Sequence, residues 1–256
     1  MRPFVRVYFL FAYWLSWVLF AAGGLLLNFF CALRSIFPRP PTLAVRVRNT
    51  IRWLFESLMK WAHACAVARV NWKNFDQPLR AGTVYIANHP TLIDAPILLG
   101  KLPNAITVFK PALLRNPLIA PAAILAGYTS GDRGVDAVRD AAEKVAEGCS
   151  LLIFPEGTRT PMGQTIGPFK AGFALIAQRA QAPVRLISIR ATPGVLTKGS
   201  CWWRPAQLPL QFEIELGPEI DSSGETQETT SVAHAQLAKM LANGPVSGKP
   251  CPRISS

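Results

Sequence analysis

An α/β fold with a largely parallel sheet flanked by helices is what this sequence predicts, and three observations predict it. Short apolar, β-branched runs alternate with helical stretches across residues 71–242. Two of those runs, at 83–87 and 150–154, end in polar turns, the layout expected of a site at the carboxyl edge of an α/β sheet. Ahead of the alternation stand a hydrophobic membrane helix and an amphipathic helix, within residues 1–70.

Residues 7–30 carry no charged side chain and are rich in Phe, Leu, Trp and Tyr. As a helix these ~24 residues reach about 36 Å, enough to cross a ~30 Å hydrocarbon core. The stretch is too long for a signal-peptide core, and no small-residue cleavage site ends it. Gly23-Gly24 and Asn28 leave open a helix that bends and returns within one leaflet; a buried soluble helix is the bland alternative. Arg2 and Arg6 flank one end, while Arg34, Arg39, Arg46, Arg48 and Arg52 flank the other. That excess places the carboxyl side, and the domain that follows, in the cytoplasm, at an inner or plasma membrane. Pro38, Pro40 and Pro41 punctuate the exit. Residues 43–70 then read as helix, with Ile51, Leu54, Phe55, Leu58, Ala62 and Cys65 on one face and Arg48, Arg52 and Lys60 as cationic positions. Such a helix either lies on the membrane, anchored by Trp53, Trp61 and Trp72, or packs against the domain.

Strands are predicted at 83–87, 105–109, 150–154, 184–189 and 208–216, the last from Phe212, Ile214 and Leu216 alternating with Glu213 and Glu215. Helices are predicted at 91–99, 135–147, 169–179 and 226–241, with a proline-interrupted helical region at 111–126. The tail, residues 243–256, is full of Gly, Pro and Ser and reads as disordered.

Half of the 256 residues are hydrophobic and only 16% are charged, apolar for a soluble enzyme. The formal net charge of +12 is lopsided: residues 1–80 hold 11 Lys/Arg against Glu56 and Asp76. A basic block beside apolar sequence suits anionic lipid head groups. No nucleic-acid-binding module accompanies it. The five cysteines are scattered, without metal-ligand spacing, and their odd number argues against a disulfide framework.

The chemistry concentrates in Ala87-Asn88-His89-Pro90-Thr91-Leu92-Ile93-Asp94. His89 and Asp94 sit where a strand gives way to a helix, so the carboxylate can come round one turn to meet the imidazole. An Asp on one ring nitrogen fixes the tautomer and frees the other nitrogen to take a proton. Neither of the other histidines, His63 and His234, has a carboxylate at that spacing. No Gly-x-Ser-x-Gly elbow or activated cysteine stands nearby, so the hydroxyl that the pair would activate arrives on the substrate. The bland alternative is a satisfied histidine at a strand end. A second stretch, Phe154-Pro155-Glu156-Gly157-Thr158-Arg159, closes the apolar run before it with another polar turn.

Together these segments resemble the glycerolipid acyltransferase family, which includes the 1-acylglycerol-3-phosphate acyltransferases. The family's first motif, Asn-His-x4-Asp, runs here from Asn88 to Asp94, and its third is unaltered from Phe154 to Arg159. Gly163 and Phe169-Lys170-Ala171-Gly172 continue the pattern, and the likeness spans roughly residues 71–216. Two motifs depart from it. Gly127-Tyr128-Thr129-Ser130-Gly131-Asp132-Arg133 keeps the glycine and the Asp-Arg end but has small polar residues at its centre. The fourth, Ala182-Pro183-Val184-Arg185-Leu186-Ile187, has Leu186 where a second proline is usual.

The resemblance implies an O-acyltransferase with a glycerol-3-phosphate acyltransferase-like fold. Residues 1–70 would be the membrane anchor and 71–242 the catalytic domain. It would move an acyl chain from acyl-CoA or acyl carrier protein to lysophosphatidate, making phosphatidate, with no cofactor beyond that donor. His89 would be the general base, steadied by Asp94. Arg159 would offer a planar fork to the acceptor's phosphate, and Glu156, Gly157 and Thr158 belong to the same substrate-binding turn. Glu156 either binds the glycerol part or pairs with an arginine to hold the loop. Lys110, which follows the predicted 105–109 strand, is a phosphate ligand or a solvated surface lysine; Arg133 is a second candidate phosphate ligand, and Lys170 a weaker one. The altered motifs leave the acceptor open to glycerol 3-phosphate, a lyso-aminolipid or a specialised lipid. A thioesterase, with His89 activating water, and a catalytically silent membrane-binding protein are the readings from other classes.

Overall fold

A strand as apolar as Val84-Tyr85-Ile86-Ala87 has no face to offer water, so it must lie in a sheet covered on both sides. The computed structural model of the chain, which describes residues 3–114, 116, 119–161, 163–192, 196–200, 202–203 and 208–242, places it there. In order the elements are α1 (Pro3–Arg34), α2 (Leu43–Ala64), β1 (Ala68–Lys73), β2 (Val84–Ala87), α3 (Asp94–Lys101), β3 (Ala105–Phe109), α4 (Pro111–Leu114), α5 (Ala120–Leu125), β4 (Thr129–Ser130), α6 (Val135–Ala146), β5 (Ser150–Ile153), α7 (Gly172–Ala180), β6 (Val184–Ala191), β7 (Leu210–Ile220) and α8 (Thr226–Ala242).

One sheet runs in the order β1-β7-β6-β2-β5-β3-β4. From β6 to β4 the strands are parallel; β7 is antiparallel to β6, and β1 is parallel to β7. The sheet is therefore largely parallel, as predicted, with two reversed strands at one edge. Alternate side chains of β2 feed two separate cores. Val84 and Ile86 join α6, α7 and α8 through Val145, Phe173 and Leu237, whereas Tyr85 and Ala87 join α3 through Ile97 and Leu98. Parallel strands point the same way, so the carboxyl ends of β2, β5, β3 and β4 share one edge.

The helix predicted to run to Val70 stops at Ala64. The chain turns through Ala66 at φ +53°, and Ala68–Lys73 pairs with β7 as an edge strand. Its partner lies some 140 residues away, so no local pattern announced the pairing. The sheet thus begins before the predicted boundary at residue 71. The short strand β4, which pairs parallel beside β3 at the far sheet edge, is likewise absent from the sequence reading. The predicted disordered tail, 243–256, lies outside the described residues.

Helix α1 is long and apolar enough to cross a membrane, with mean hydropathy 1.9 over its most apolar 18-residue window, of which only 11% is buried. Yet it does not stand clear of the domain. Ala12, Tyr13, Asn28 and Cys31 are buried along one face, while Phe4, Phe11, Val18, Leu26, Phe29 and Phe30 are exposed on the rest. Asn28 supplies a side-chain cap across the interface: its Oδ1 accepts the Ala122 N–H of α5 at 3.0 Å, and its Nδ2 donates to the Gly24 carbonyl.

Helix α2 packs on α3 so closely that a Cβ on Gly100 would come within 3.0 Å of the Glu56 backbone nitrogen. Arg48, read as a cation for a polar surface, turns inward instead, with Nε donating to Asn104 Oδ1 at 2.7 Å and Nη1 to the Ala126 carbonyl at 2.8 Å. Of the three candidate interfacial tryptophans, Trp53 is exposed. Trp61 is packed against the α3-side core, and Trp72 lies under the Lys101 ammonium.

Candidate active site

The turn after β2 is set by side chains that stand in for backbone. Asn88, buried, completes the last rung toward β6: its Nδ2 donates to the Ile189 carbonyl and its Oδ1 accepts the Ile189 N–H, both at 2.8 Å. The chain is thereby free to turn out of the sheet, and His89 emerges at the edge with 21% of its side chain exposed. The predicted helix at 91–99 starts later, at Asp94, because the Asp94 carboxylate organises the preceding turn. It accepts the Thr91 N–H at 2.7 Å and the Thr91 hydroxyl, and lies at the helix amino end, where negative charge is favoured.

His89 Nδ1 lies 2.9 Å from Asp94 Oδ2, so the predicted pair is formed. An ionised carboxylate only accepts, which puts the ring proton on Nδ1 and leaves the Nε2 lone pair free. The ring stacks on Phe154 at 4.2 Å between centroids, which fixes its plane from the other side. Asp94 is fully buried. Burial pushes its carboxyl above the usual aspartate range, and the hydrogen bonds from His89 and Thr91 oppose that rise.

The turn after β5 docks beside this pair. Gly157 N–H closes it onto the Phe154 carbonyl at 3.0 Å. The Glu156 carboxylate points inward rather than toward a ligand: Oε1 accepts the His89 N–H at 3.0 Å and the Thr160 hydroxyl at 2.9 Å, and Oε2 accepts the Gly167 N–H at 2.9 Å. Thr160 N–H returns a bond to the His89 carbonyl at 2.8 Å. Glu156 therefore holds the loop, as one of its two sequence readings had it, but through amides and a hydroxyl and not through an arginine. The same geometry predicts the effect of Gly167→Ala, whose Cβ would fall 2.7 Å from Glu156 Oε2. Displacing that pinned carboxylate should lower stability by roughly 1–3 kcal/mol. The check is a lower urea midpoint at unchanged slope; an unmoved midpoint would mean that the loop gives way freely.

Thr158 and Arg159 are half-buried at the end of the turn. Arg159 Nη1 reaches the Leu196 and Thr197 carbonyls at 3.3 Å each, long contacts that, among the described residues, leave most of its fork uncommitted. Lys170 brings its ammonium close to Gly157, 3.1 Å from where a Cβ there would stand. Lys110 and Arg133, both exposed, leave the same edge after β3 and β4. Those strands stand two and three places from β2, about 10 and 14 Å at ~4.8 Å per strand. The structure thus brings His89, Asp94 and the Glu156–Arg159 turn into direct contact and sets Lys110 and Arg133 further along one edge. Thr91, Phe154, Thr160 and Gly167 were not singled out as site residues. Thr91 meets Asp94 three positions on, a spacing the sequence carries, whereas Phe154 on His89, Thr160 on the His89 carbonyl and Gly167 on Glu156 act on neighbours that only the fold supplies. Among the described residues, no group of three or more His, Cys, Asp or Glu side chains could hold a metal ion.

Fold and site together define an α/β protein that presents a carboxylate-backed histidine at the carboxyl edge of its sheet. The acyltransferase family model matches residues 67–190, and the chain is similar to members of that family. A 1-acyl-sn-glycerol-3-phosphate acyltransferase of Cocos nucifera is 30% identical over 136 residues, which cover 50% of this chain and 44% of that protein, so the match spans less than half of the relative's length. One from Limnanthes alba is 25% identical over 82% of this chain and 74% of its own. A lyso-ornithine lipid O-acyltransferase of Pseudomonas aeruginosa is 30% identical over 66% of this chain and 63% of its own. The crystal structure of the 1-acyl-sn-glycerophosphate acyltransferase PlsC from Thermotoga maritima superposes with a TM-score of 0.67, covering 95% of this chain and 99% of that one at 22% identity, a likeness of fold.

Proposed function

We propose that this protein transfers an acyl chain from a thioester, acyl-CoA or acyl carrier protein, to the free hydroxyl of lysophosphatidate at a membrane surface, making phosphatidate for phospholipid synthesis. The observation that carries this reading is the 2.9 Å His89–Asp94 contact beside the intact Glu156–Arg159 turn. His89 Nε2 takes the acceptor's hydroxyl proton as its oxygen attacks the thioester carbonyl; the imidazolium, met by Asp94, returns that proton to the departing thiolate. No acyl-enzyme is formed. Arg159 binds the acceptor phosphate with its free donors, and Lys110 and Arg133 add positive charge along the same edge. Glu156 and Gly157 shape the turn, and Thr158 lines it.

The exposed apolar flank of α1 supports a bilayer location, and the burial of Ala12, Tyr13, Asn28 and Cys31 against the domain supports a helix that lies in one leaflet with its domain on the cytoplasmic side. A second acceptor is favoured by specific observations. The relative that acylates a lyso-ornithine lipid aligns over 172 residues, and small polar residues replace the apolar centre of the second motif. The deciding experiment incubates membranes carrying the protein with labelled acyl-CoA or acyl carrier protein and a panel of lysophosphatidate, glycerol 3-phosphate and lyso-ornithine lipid. Labelled phosphatidate is the expected product. Labelled ornithine lipid alone would replace the acceptor, and free fatty acid alone would replace acyl transfer with thioester hydrolysis.

A further inference from the structure

The connection between β6 and β7 carries two sets of contacts that its length alone does not require. At one end the Leu196 carbonyl accepts both the Leu92 N–H of the His89–Asp94 loop, at 2.9 Å, and Arg159 Nη1, at 3.3 Å. Leu196 achieves this in the left-handed region, φ +53°, while buried. A leucine holds that conformation only where its surroundings compel it. The Thr197 carbonyl, the second acceptor for Arg159, is itself fixed by the N–H and hydroxyl of Ser200, at 3.1 and 2.9 Å. At the other end Trp202 is fastened to α1. Its carbonyl accepts the hydroxyl of buried Tyr13, and its ring meets Trp14 at 5.9 Å and Trp17 at 5.3 Å, both edge-on.

The geometry points to residues 196–200 and 202 as a strap through which α1 holds Arg159, with Tyr13 and Trp202 as positioning residues for binding of the acceptor. The inference rests on the reading of Arg159 as the ligand of the acceptor phosphate. A guanidinium held, among the described residues, by two long contacts has little of its own to define its direction, so the carbonyls must be fixed from elsewhere. Tyr13 and the tryptophans supply that constraint from the membrane-facing helix. A bilayer that seats α1 therefore also sets the acceptor site, while the His89–Asp94 pair is held chiefly by Asn88 and Thr91 and touches the strap through the Leu92 N–H.

The test uses the full chain in phospholipid vesicles with 1-oleoyl lysophosphatidate and oleoyl-CoA. Trp202→Ala should raise the acceptor KM roughly tenfold, the scale of one charge-assisted hydrogen bond. Tyr13→Phe, which keeps the buried ring and removes only the hydroxyl, should raise it by a smaller factor. In both, kcat and the donor KM should stay within about twofold, and Trp202→Phe should recover most of the acceptor KM. Added to Arg159→Ala, Trp202→Ala should cause no further rise, because coupled residues are not additive. An unmoved acceptor KM in Trp202→Ala and Tyr13→Phe, beside a raised one in Arg159→Ala, removes the strap and leaves the Arg159 reading standing. An unmoved acceptor KM in Arg159→Ala removes that reading itself. A parallel loss of kcat and both KM values with a lower urea midpoint reduces Trp202 to a packing residue and overturns the proposal.

Discussion

His89→Ala is expected to lower kcat for acyl transfer about a thousandfold, within the ~10²–10⁴ that a positioned general base contributes. The reason lies in how little else at this edge can take a proton. Asp94 is buried and turned away from solvent, Glu156 has its oxygens occupied by the His89 and Gly167 amides and the Thr160 hydroxyl, and His63 and His234 lie on other elements. The acceptor KM should change little, since the cationic groups proposed for the phosphate are untouched. Circular dichroism should be unaltered, because the ring's main tertiary contacts are Asp94 and Phe154. Steady-state rates on the preferred acceptor of the panel decide the matter. Wild-type turnover in the variant would end the assignment of His89 as base.

Asp94→Asn separates catalysis from stability. Asparagine keeps the volume but cannot stabilise an imidazolium, so kcat should fall by about two to three orders of magnitude. Stability should move the other way. The folded-state pKa of Asp94 is raised, chiefly by burial, so its protonated form is the one the fold prefers. A raised carboxyl contributes stability that is complete below the ordinary aspartate range and is lost as pH rises through the folded value. Above the ordinary aspartate range the wild type therefore bears a cost, from burying a carboxyl that would ionise in the unfolded chain, that the asparagine lacks. The variant should be at least as stable there, and the difference should close as the pH falls below ~4, where Asp94 is protonated in both states. Urea midpoints at pH 7 and pH 4 provide the measurement. A variant much weaker than wild type at pH 7 would mean that the Thr91 bonds outweigh the charge burial.

The site was legible to the extent that it is local. His89 and Asp94 are five positions apart, so the pairing is one turn of backbone and needs no long-range contact to suggest it. Glu156 shows the limit. Its motif neighbours were identified, but that its carboxylate would reach back to the His89 amide and across to Gly167 depends on where β5 sits beside β2, which no spacing records. Arg48 misled for a related reason. At helical spacing an arginine beside Arg52 reads as a cation for a polar surface, yet α2 lies on the domain so that Arg48 meets Asn104 and the Ala126 carbonyl.

By itself, then, the sequence determined the alternation of apolar runs and helices, the apolar amino-terminal helix and the two chemical turns, because hydrophobic period, turn residues and charge act over a few positions. Tertiary structure alone decided that β1 closes the sheet edge against β7, that Ala12, Tyr13, Asn28 and Cys31 of α1 are buried against the domain, and that Arg159 reaches the Leu196 and Thr197 carbonyls. Each of these joins residues tens to more than a hundred positions apart. Such contacts form because burying a face or satisfying a hydrogen-bonding group favours one partner in space, and that choice leaves no periodic trace in the chain.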